Sequence, residues 1–330
     1  MTLPNQNQRP RIVVLDDYER AFEQLADWQA VRQQADLTIV TEPLKGEALL
    51  ALIHDVDVLV LSRDRTPLKA ELIGQLTQLK LVIFTGARNQ ALDAAALAAR
   101  GIPVCNTGWG PSKDSTAELT WALVMAAHKR VVENSAALHA GQWRTQHALL
   151  PVLKGETLGV IGLGEIGGRV AGFAKAFGMQ VQAWSPRMTH ERAAAQGARF
   201  VDLDTLLATS KVISLHLVVT PETKGLMNAE RLAKMRPDSI LVNTSRSTLI
   251  NTPDLIAALK QGRPGQAALD VFDNEPLPQD DPLRQLPQVL ITPHLGFVAR
   301  PVYEIFVRDA HECIHAWLAG QPLPRLLATA

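Results

Sequence analysis

Cysteine is almost missing from this chain. Its 330 residues include two, Cys105 and Cys313. That is too few for a disulfide framework or a cysteine-rich metal site, and each is expected as a small buried residue. Charge of one sign is also lacking. Lys+Arg and Asp+Glu both number 33, so no electrostatic footprint points to nucleic acid or an anionic membrane. No apolar run approaches the ~18 residues that a membrane span requires. The opening stretch, MTLPNQNQRPR, has no apolar core and does not read as a signal peptide. There is no low complexity and no repeat of solenoid period. What remains is a cytoplasmic, enzyme-sized protein. Its 47% hydrophobic and 20% charged content is ordinary for a soluble globular chain, and its length suits about two domains.

The most informative stretch runs from Thr157 to Pro186, TLGVIGLGEIGGRVAGFAKAFGMQVQAWSP. Leu158 to Ile161 reads as a buried strand. Gly162, Gly164 and Gly167 follow in G-x-G-x-x-G spacing. Ile166 to Phe177 carries helical periodicity and ends at Gly178, and Gln180 to Trp184 is a second strand. This is the size and order of a dinucleotide-binding βαβ unit. The first glycine permits the tight turn, the second lets backbone approach a pyrophosphate, and the third lets helix and strand pack closely. The helix N-terminus, at Glu165 and Ile166, offers free N–H groups to the anion. The acidic residue that usually holds the ribose 2′-hydroxyl is absent. Ser185 stands there, with Arg187 close behind. An arginine so placed can accept the 2′-phosphate of NADP, so NAD and NADP both stay open.

Strands and helices alternate on both sides of this unit, which predicts parallel sheets covered on both faces. The first half has strands near residues 11–16, 37–40, 57–61, 81–84 and 102–105 but no glycine fingerprint, so it is assigned to the substrate. A long helix, about Ser115 to Ala140, is expected to link two domains. Its Leu, Trp, Val and Met stripe reads as core packing. Three strand ends in the second half carry polar residues that a core does not call for. Arg246 follows the strand Ile240 to Asn243. Asp270 and Glu275 follow Ala267-Ala268-Leu269. His294 follows Val289 to Ile291. In open parallel sheets, ligands bind at such carboxyl ends. His311 and His315 have i, i+4 spacing on the last helix, but no third ligand is evident. They read as a solvated face, and no metal is expected.

The glycine unit, VVTPETKGLMN, LVNTSRS, ALDVFDNEPLP and ITPHLGF together resemble the D-isomer-specific 2-hydroxyacid dehydrogenases. The similarity covers most of the chain and is densest from Thr157 to Phe297. The resemblance implies catalytic roles. His294 would exchange the proton of the hydroxyl while hydride leaves the same carbon. Glu275 would pair with it, favouring the imidazolium form. Arg246 would clamp the substrate carboxylate and polarise the carbonyl with two hydrogen bonds. Asp270 is similar to the residue that holds the nicotinamide carboxamide. Thr116 and Thr244 fall where the family contacts the cofactor. TGARNQALDAAALAARGIPVCN resembles the family's carboxylate loop, so Gly86 and Ala87 would offer backbone N–H groups. Arg88 stands where a second glycine is usual. Arg63, Arg65 and Arg88 are expected either to bind a phosphate or second carboxylate, or to be solvated loop charges. Ser247 and Phe297 replace two further family glycines.

The expected fold is therefore α/β, with two doubly wound parallel-sheet domains and a cleft between them. A flavodoxin-like substrate domain would take residues 1–108 and 298–330, and a Rossmann cofactor domain 109–297. The expected reaction is hydride transfer between NAD(P)(H) and a D-2-hydroxy acid or 2-oxo acid, with 3-phosphoglycerate, glyoxylate or hydroxypyruvate as substrate candidates. A homodimer is expected, and no further C-terminal regulatory domain. Two rivals are a dinucleotide-sensing partner protein on the same fold and a formate-oxidising enzyme. Glu275 disfavours the second, because those relatives carry Gln there.

Overall fold

The computed structural model describes residues 9–144 and 149–327. Residues 1–8, most of the opening stretch read above for a signal peptide, lie outside them. The chain forms two compact units, one of residues 1–111 with 299–330 and one of residues 112–298.

The first unit holds β1 (Arg11–Leu15), α1 (Ala21–Leu25), α2 (Gln29–Gln34), β2 (Asp36–Ile39), α3 (Gly46–Ile53), β3 (Val58–Leu61), α4 (Ala70–Gln75), β4 (Leu81–Phe84), α5 (Ala94–Ala99) and β5 (Val104–Asn106). The five strands pair in parallel in the order β2-β1-β3-β4-β5. VLVL in β3 and LVIF in β4 are buried at every position, as strands with helices on both faces must be. Cys105 and Cys313 are both fully buried here.

The second unit begins with α6 (Ser112–His128) and α7 (Val131–His139). It continues through β6 (Thr157–Ile161), α8 (Glu165–Ala176), β7 (Gln180–Trp184), α9 (His190–Ala194), β8 (Arg199–Phe200), α10 (Leu203–Thr209), β9 (Val212–Leu215) and α11 (Ala229–Lys234). It ends with β10 (Ile240–Asn243), α12 (Thr252–Lys260), β11 (Gln266–Leu269) and β12 (Val289–Ile291), and α13 (Arg300–Leu318) returns to the first unit. The seven strands run parallel in the order β12-β11-β10-β9-β6-β7-β8. The order reverses between β6 and β9. In such sheets this is where a nucleotide lies across the strand ends.

One expectation about an element requires correction. The linking helix is two helices. Arg130 takes a left-handed conformation (φ 47°), and its N–H turns back to the Ala127 carbonyl. On α6, Leu123, Val124 and Ala127 pack into the core, whereas α7 buries no residue, so no packing demands a straight continuation. After β1 the chain forms two short helices, α1 and α2, parted at Asp27, whose carboxylate accepts from the Gln29 N–H. β8 is only two residues long.

Candidate active site

The dinucleotide turn is built as its glycines require. Gly162 ends β6 with φ 103°, and a Cβ there would lie 2.6 Å from the His216 carbonyl oxygen. Gly167 sits on the first turn of α8, where a Cβ would meet the Gly162 carbonyl at 2.2 Å. Gly164, the N-cap of α8, has nothing within 4 Å of its Cβ position. Two glycines are therefore demanded by the protein's own packing, and the third leaves open space at a helix N-terminus. That open space is the cradle a pyrophosphate would fill. Glu165 leads α8 and bonds Lys113 at 2.5 Å, which lowers its carboxyl below the usual range. Ile166 packs partly against the core. Ser185 and Arg187 lie on the turn after β7, closed by a Met188 N–H to Ser185 carbonyl bond. Arg187 is exposed there.

β10, β11 and β12 are consecutive neighbours in the sheet. Arg246, Glu275 and His294 follow their carboxyl ends in that order. Glu275 Oε2 lies 2.6 Å from His294 Nδ1, while its Oε1 accepts from the Phe272 N–H at 2.9 Å. With both oxygens engaged, the carboxylate is fixed and in turn fixes the imidazole. His294 and Glu275 keep 28% and 34% side-chain exposure, enough for a ligand to reach them. His294 itself is in a left-handed conformation (φ 55°), and its ring meets Phe297 edge-on at 5.5 Å. The bulk expected from Phe297 is thus placed against the His ring. Arg246 is extended, and its Nη1 donates to the Ser245 carbonyl at 2.8 Å. Asn243, buried at the end of β10, shapes this loop. Its Nδ2 donates to the Arg246 carbonyl at 2.9 Å, and its Oδ1 accepts from the Ser245 N–H at 3.0 Å.

Asp270 is wholly buried. Its Oδ1 accepts from Thr292 Oγ1 (2.6 Å) and the Leu295 N–H (2.8 Å), and its Oδ2 from the Gly296 N–H (2.8 Å). Burial pushes its carboxyl up, and these three hydrogen bonds oppose the rise. The donors come from both sides of His294, so Asp270 holds the turn that presents the histidine. Thr116, on α6, contacts the same turn. Its hydroxyl lies 3.0 Å from the Gly296 carbonyl and 2.8 Å from that of Ser112. Thr244 is buried, with its hydroxyl 2.7 Å from that of Thr120. His216, at the end of β9, went unnoticed in the sequence. Its Nε2 is 2.8 Å from Ser214 Oγ, and burial pushes its imidazole down to about 4.

In the first unit the basic trio does not gather as three available charges. Arg65 is bound by both guanidinium nitrogens to Glu19 (2.6 and 2.9 Å) and lies over the Tyr18 ring. It is a partly buried, paired charge rather than a solvated one. Arg63, buried and left-handed (φ 58°), follows β3 and stacks on Trp109, 4.5 Å from the ring centroid. Its guanidinium fills the space beside Gly86, where a Cβ would lie 1.9 Å from Nη1. The N–H of Gly86 donates to Thr107 Oγ1 at 2.7 Å, so it is already committed. Ala87 and Arg88 stand next to it, Ala87 half-buried and Arg88 exposed. His311 and His315 are also half-buried rather than a solvated face.

Residues 121–296 match the family described as "D-isomer specific 2-hydroxyacid dehydrogenase, NAD binding domain". A glyoxylate reductase of Aeropyrum pernix is 34% identical over 329 residues, 97% of this chain and 96% of its own length. The chain belongs to the D-isomer-specific 2-hydroxyacid dehydrogenase family. A D-3-phosphoglycerate dehydrogenase of Mycobacterium leprae is 38% identical over 297 residues, 89% of this chain and 55% of its own. The chain spans about half the length of the curated phosphoglycerate dehydrogenases it matches. A crystal structure of a phosphoglycerate oxidoreductase from Vibrio cholerae superposes with a TM-score of 0.86 at 34% identity, covering 95% of this chain and 100% of that one. The family's NAD-binding domain thus falls within the second unit, around the glycine turn and the three strand ends. No helix among the described residues is long and apolar enough to cross a membrane.

Proposed function

We propose that this family member is an oxidoreductase that reduces a small 2-oxo acid to the D-2-hydroxy acid, reversibly, with a nicotinamide cofactor held by the second unit. The observation that carries this reading is the 2.6 Å His294–Glu275 pair at the ends of β12 and β11. Glu275 occupies Nδ1, so Nε2 is the nitrogen that exchanges a proton with substrate. In the reductive direction it protonates the carbonyl oxygen, and in the oxidative direction it removes the hydroxyl proton. Arg246 binds the substrate carboxylate and polarises the adjacent carbonyl. The nicotinamide supplies or accepts the hydride when bound. Gly162, Gly164, Gly167 and the first turn of α8 would hold its pyrophosphate, with Thr116 and Thr244 beside it. Asp270 serves the His294 turn first, and Oδ2, with one bond, is the oxygen left to a carboxamide.

Substrate recognition falls to the first unit, through the Ala87 N–H, Arg63 and Arg88. The commitment of Arg65 to Glu19 and the bulk of Trp109 favour glyoxylate or hydroxypyruvate over a phosphorylated acid. Lack of a carboxylate after β7 leaves nothing to repel a 2′-phosphate, so NADPH is accepted as well as NADH. A homodimer is proposed through α7, which buries none of its own residues and exposes Val131, Val132 and Leu138. A cytoplasmic setting fits this chemistry.

The test is His294→Ala, assayed by nicotinamide absorbance on a panel of 2-oxo acids. General acid–base catalysis contributes about 10²–10⁴-fold, and a loss of that size is expected while NADH binding, followed by fluorescence, persists. An unchanged rate would remove His294 from the reaction. No turnover by the wild type on any 2-oxo acid would overturn the proposal.

A further inference from the structure

Away from the proposed active site, α13 carries His311-Glu312-Cys313-Ile314-His315, a motif of the form H-E-x-x-H on a helix. Four-residue spacing puts the two imidazoles on one face. Their rings are 4.3 Å apart, and Nε2 lies 3.2 Å from Nε2. His311 Nε2 is also 3.1 Å from the main-chain oxygen of Asp27, and the Trp28 ring meets His311 edge-on at 4.9 Å. Burial and the neighbouring His311 lower the pKa of His315.

His311 Nε2 thus lies within hydrogen-bond distance of both His315 Nε2 and the Asp27 main-chain oxygen. A dication between the two Nε2 atoms would take a lone pair from each, with the Asp27 oxygen beside His311. The separation fits as well. Two nitrogen ligands at tetrahedral angles and bond lengths of about 2.0–2.1 Å stand about 3.4 Å apart.

We propose that His311 and His315, with the Asp27 carbonyl, bind a nitrogen-preferring divalent ion, Zn²⁺ being the fitting choice. Imidazole suits zinc, whereas Mg²⁺ and Ca²⁺ seek all-oxygen shells. Among the described residues no third histidine, cysteine or carboxylate side chain joins the pair, so water completes the shell. The ion would pin α13 to the α1–α2 connection inside the first unit. Glu312, one residue on, is turned about 100° round the helix. It is exposed and faces Arg308 at 3.9 Å, so hydrolytic chemistry does not follow from the motif.

The experiment titrates ZnCl₂ alone into chelator-treated wild type, His311→Gln and His315→Gln, by calorimetry. One zinc per chain is expected for the wild type, weakened at least tenfold in each variant. No binding to the wild type, or unchanged affinity in either variant, overturns the proposal. Should a variant fail to fold, X-ray absorption at the zinc edge of the 1:1 wild-type complex decides. Two imidazoles in the first shell support the site. One or none, as capture by the His294–Glu275 pair would give, overturns it.

Discussion

Replacing Asp270 by Asn separates two roles for this carboxylate. Asn keeps the shape and one acceptor oxygen. Oriented to keep Thr292 and Leu295, it turns its NH₂ toward the Gly296 N–H, donor against donor. Hydrogen bonds to charged groups contribute about 1.5–3 kcal/mol each. One is lost outright, and the two that remain become neutral. Against this, burying an amide costs less than burying a carboxylate, whose pKa is already pushed up by burial. A net loss of about 2 kcal/mol is expected. Asp270→Ala leaves the Leu295 and Gly296 N–H groups and the Thr292 hydroxyl without their acceptor. At about 1–3 kcal/mol for each unsatisfied donor, it is expected to cost about 3–5 kcal/mol. Urea unfolding of the second unit reads both values. Because the donors flank His294, kcat is expected to fall in Asp270→Asn, and KM for NADH to rise as well, since the amide NH₂ replaces Oδ2. A variant as stable as wild type, with unchanged kcat and a raised KM for NADH alone, would refute the scaffold argument. Asp270 would then be a cofactor ligand only.

Gly162→Ala is expected to cost about 2–4 kcal/mol, since φ 103° is strained for alanine and the new Cβ meets a backbone carbonyl. Gly164→Ala, with open space at its Cβ, should leave the melting temperature unchanged and weaken NADH binding, as read by fluorescence titration. His216 gives a pH dependence. Its folded pKa of about 4 lies below the unfolded value of 6.5, so its contribution is whole above pH 6.5 and is lost as pH falls toward 4. The span corresponds to at most about 3 kcal/mol, reduced because the ring is not fully enclosed. Urea midpoints between pH 7 and 4.5 should fall more steeply for wild type than for His216→Gln. Arg187→Ala should raise KM for NADPH about tenfold and leave that for NADH unchanged, in steady-state assays.

What was legible in the sequence was whatever a local pattern records. Buried runs such as VLVL and LVIF announce strands covered on both faces, and the glycine spacing announces a turn whose contacts are with its own neighbours. Strand-end positions are legible too, since Arg246 and His294 each come three residues after an apolar run and Glu275 six residues after one. What was hidden depends on which strands lie side by side. Arg65 meets Glu19 across 46 residues because β1 and β3 are neighbours. Neither residue alone distinguishes an internal ion pair from a phosphate ligand. The bond from Gly86 to Thr107 is hidden for the same reason, since β4 and β5 bring them together. The break at Arg130 was illegible because nothing in Lys129-Arg130 forbids a helix, and only the absence of anything for α7 to pack on permits the turn.

The proposed site divides its work between exposed and buried groups. His294 and Glu275 are partly open, as groups that exchange protons with a ligand must be. Behind them Asp270 and Asn243 are closed off and hydrogen-bonded to the loops that carry the reactive side chains. Such support matters because His294 holds a backbone conformation that costs a non-glycine residue about 1–3 kcal/mol. Three bonds into one buried carboxylate are of the right size to offset that strain. The histidine is thus placed before any ligand arrives. Pre-placement of a proton donor contributes to rate through orientation rather than through binding. Loss of this support is therefore expected in kcat, and loss of the Arg246 contact to the acid in both kcat and KM.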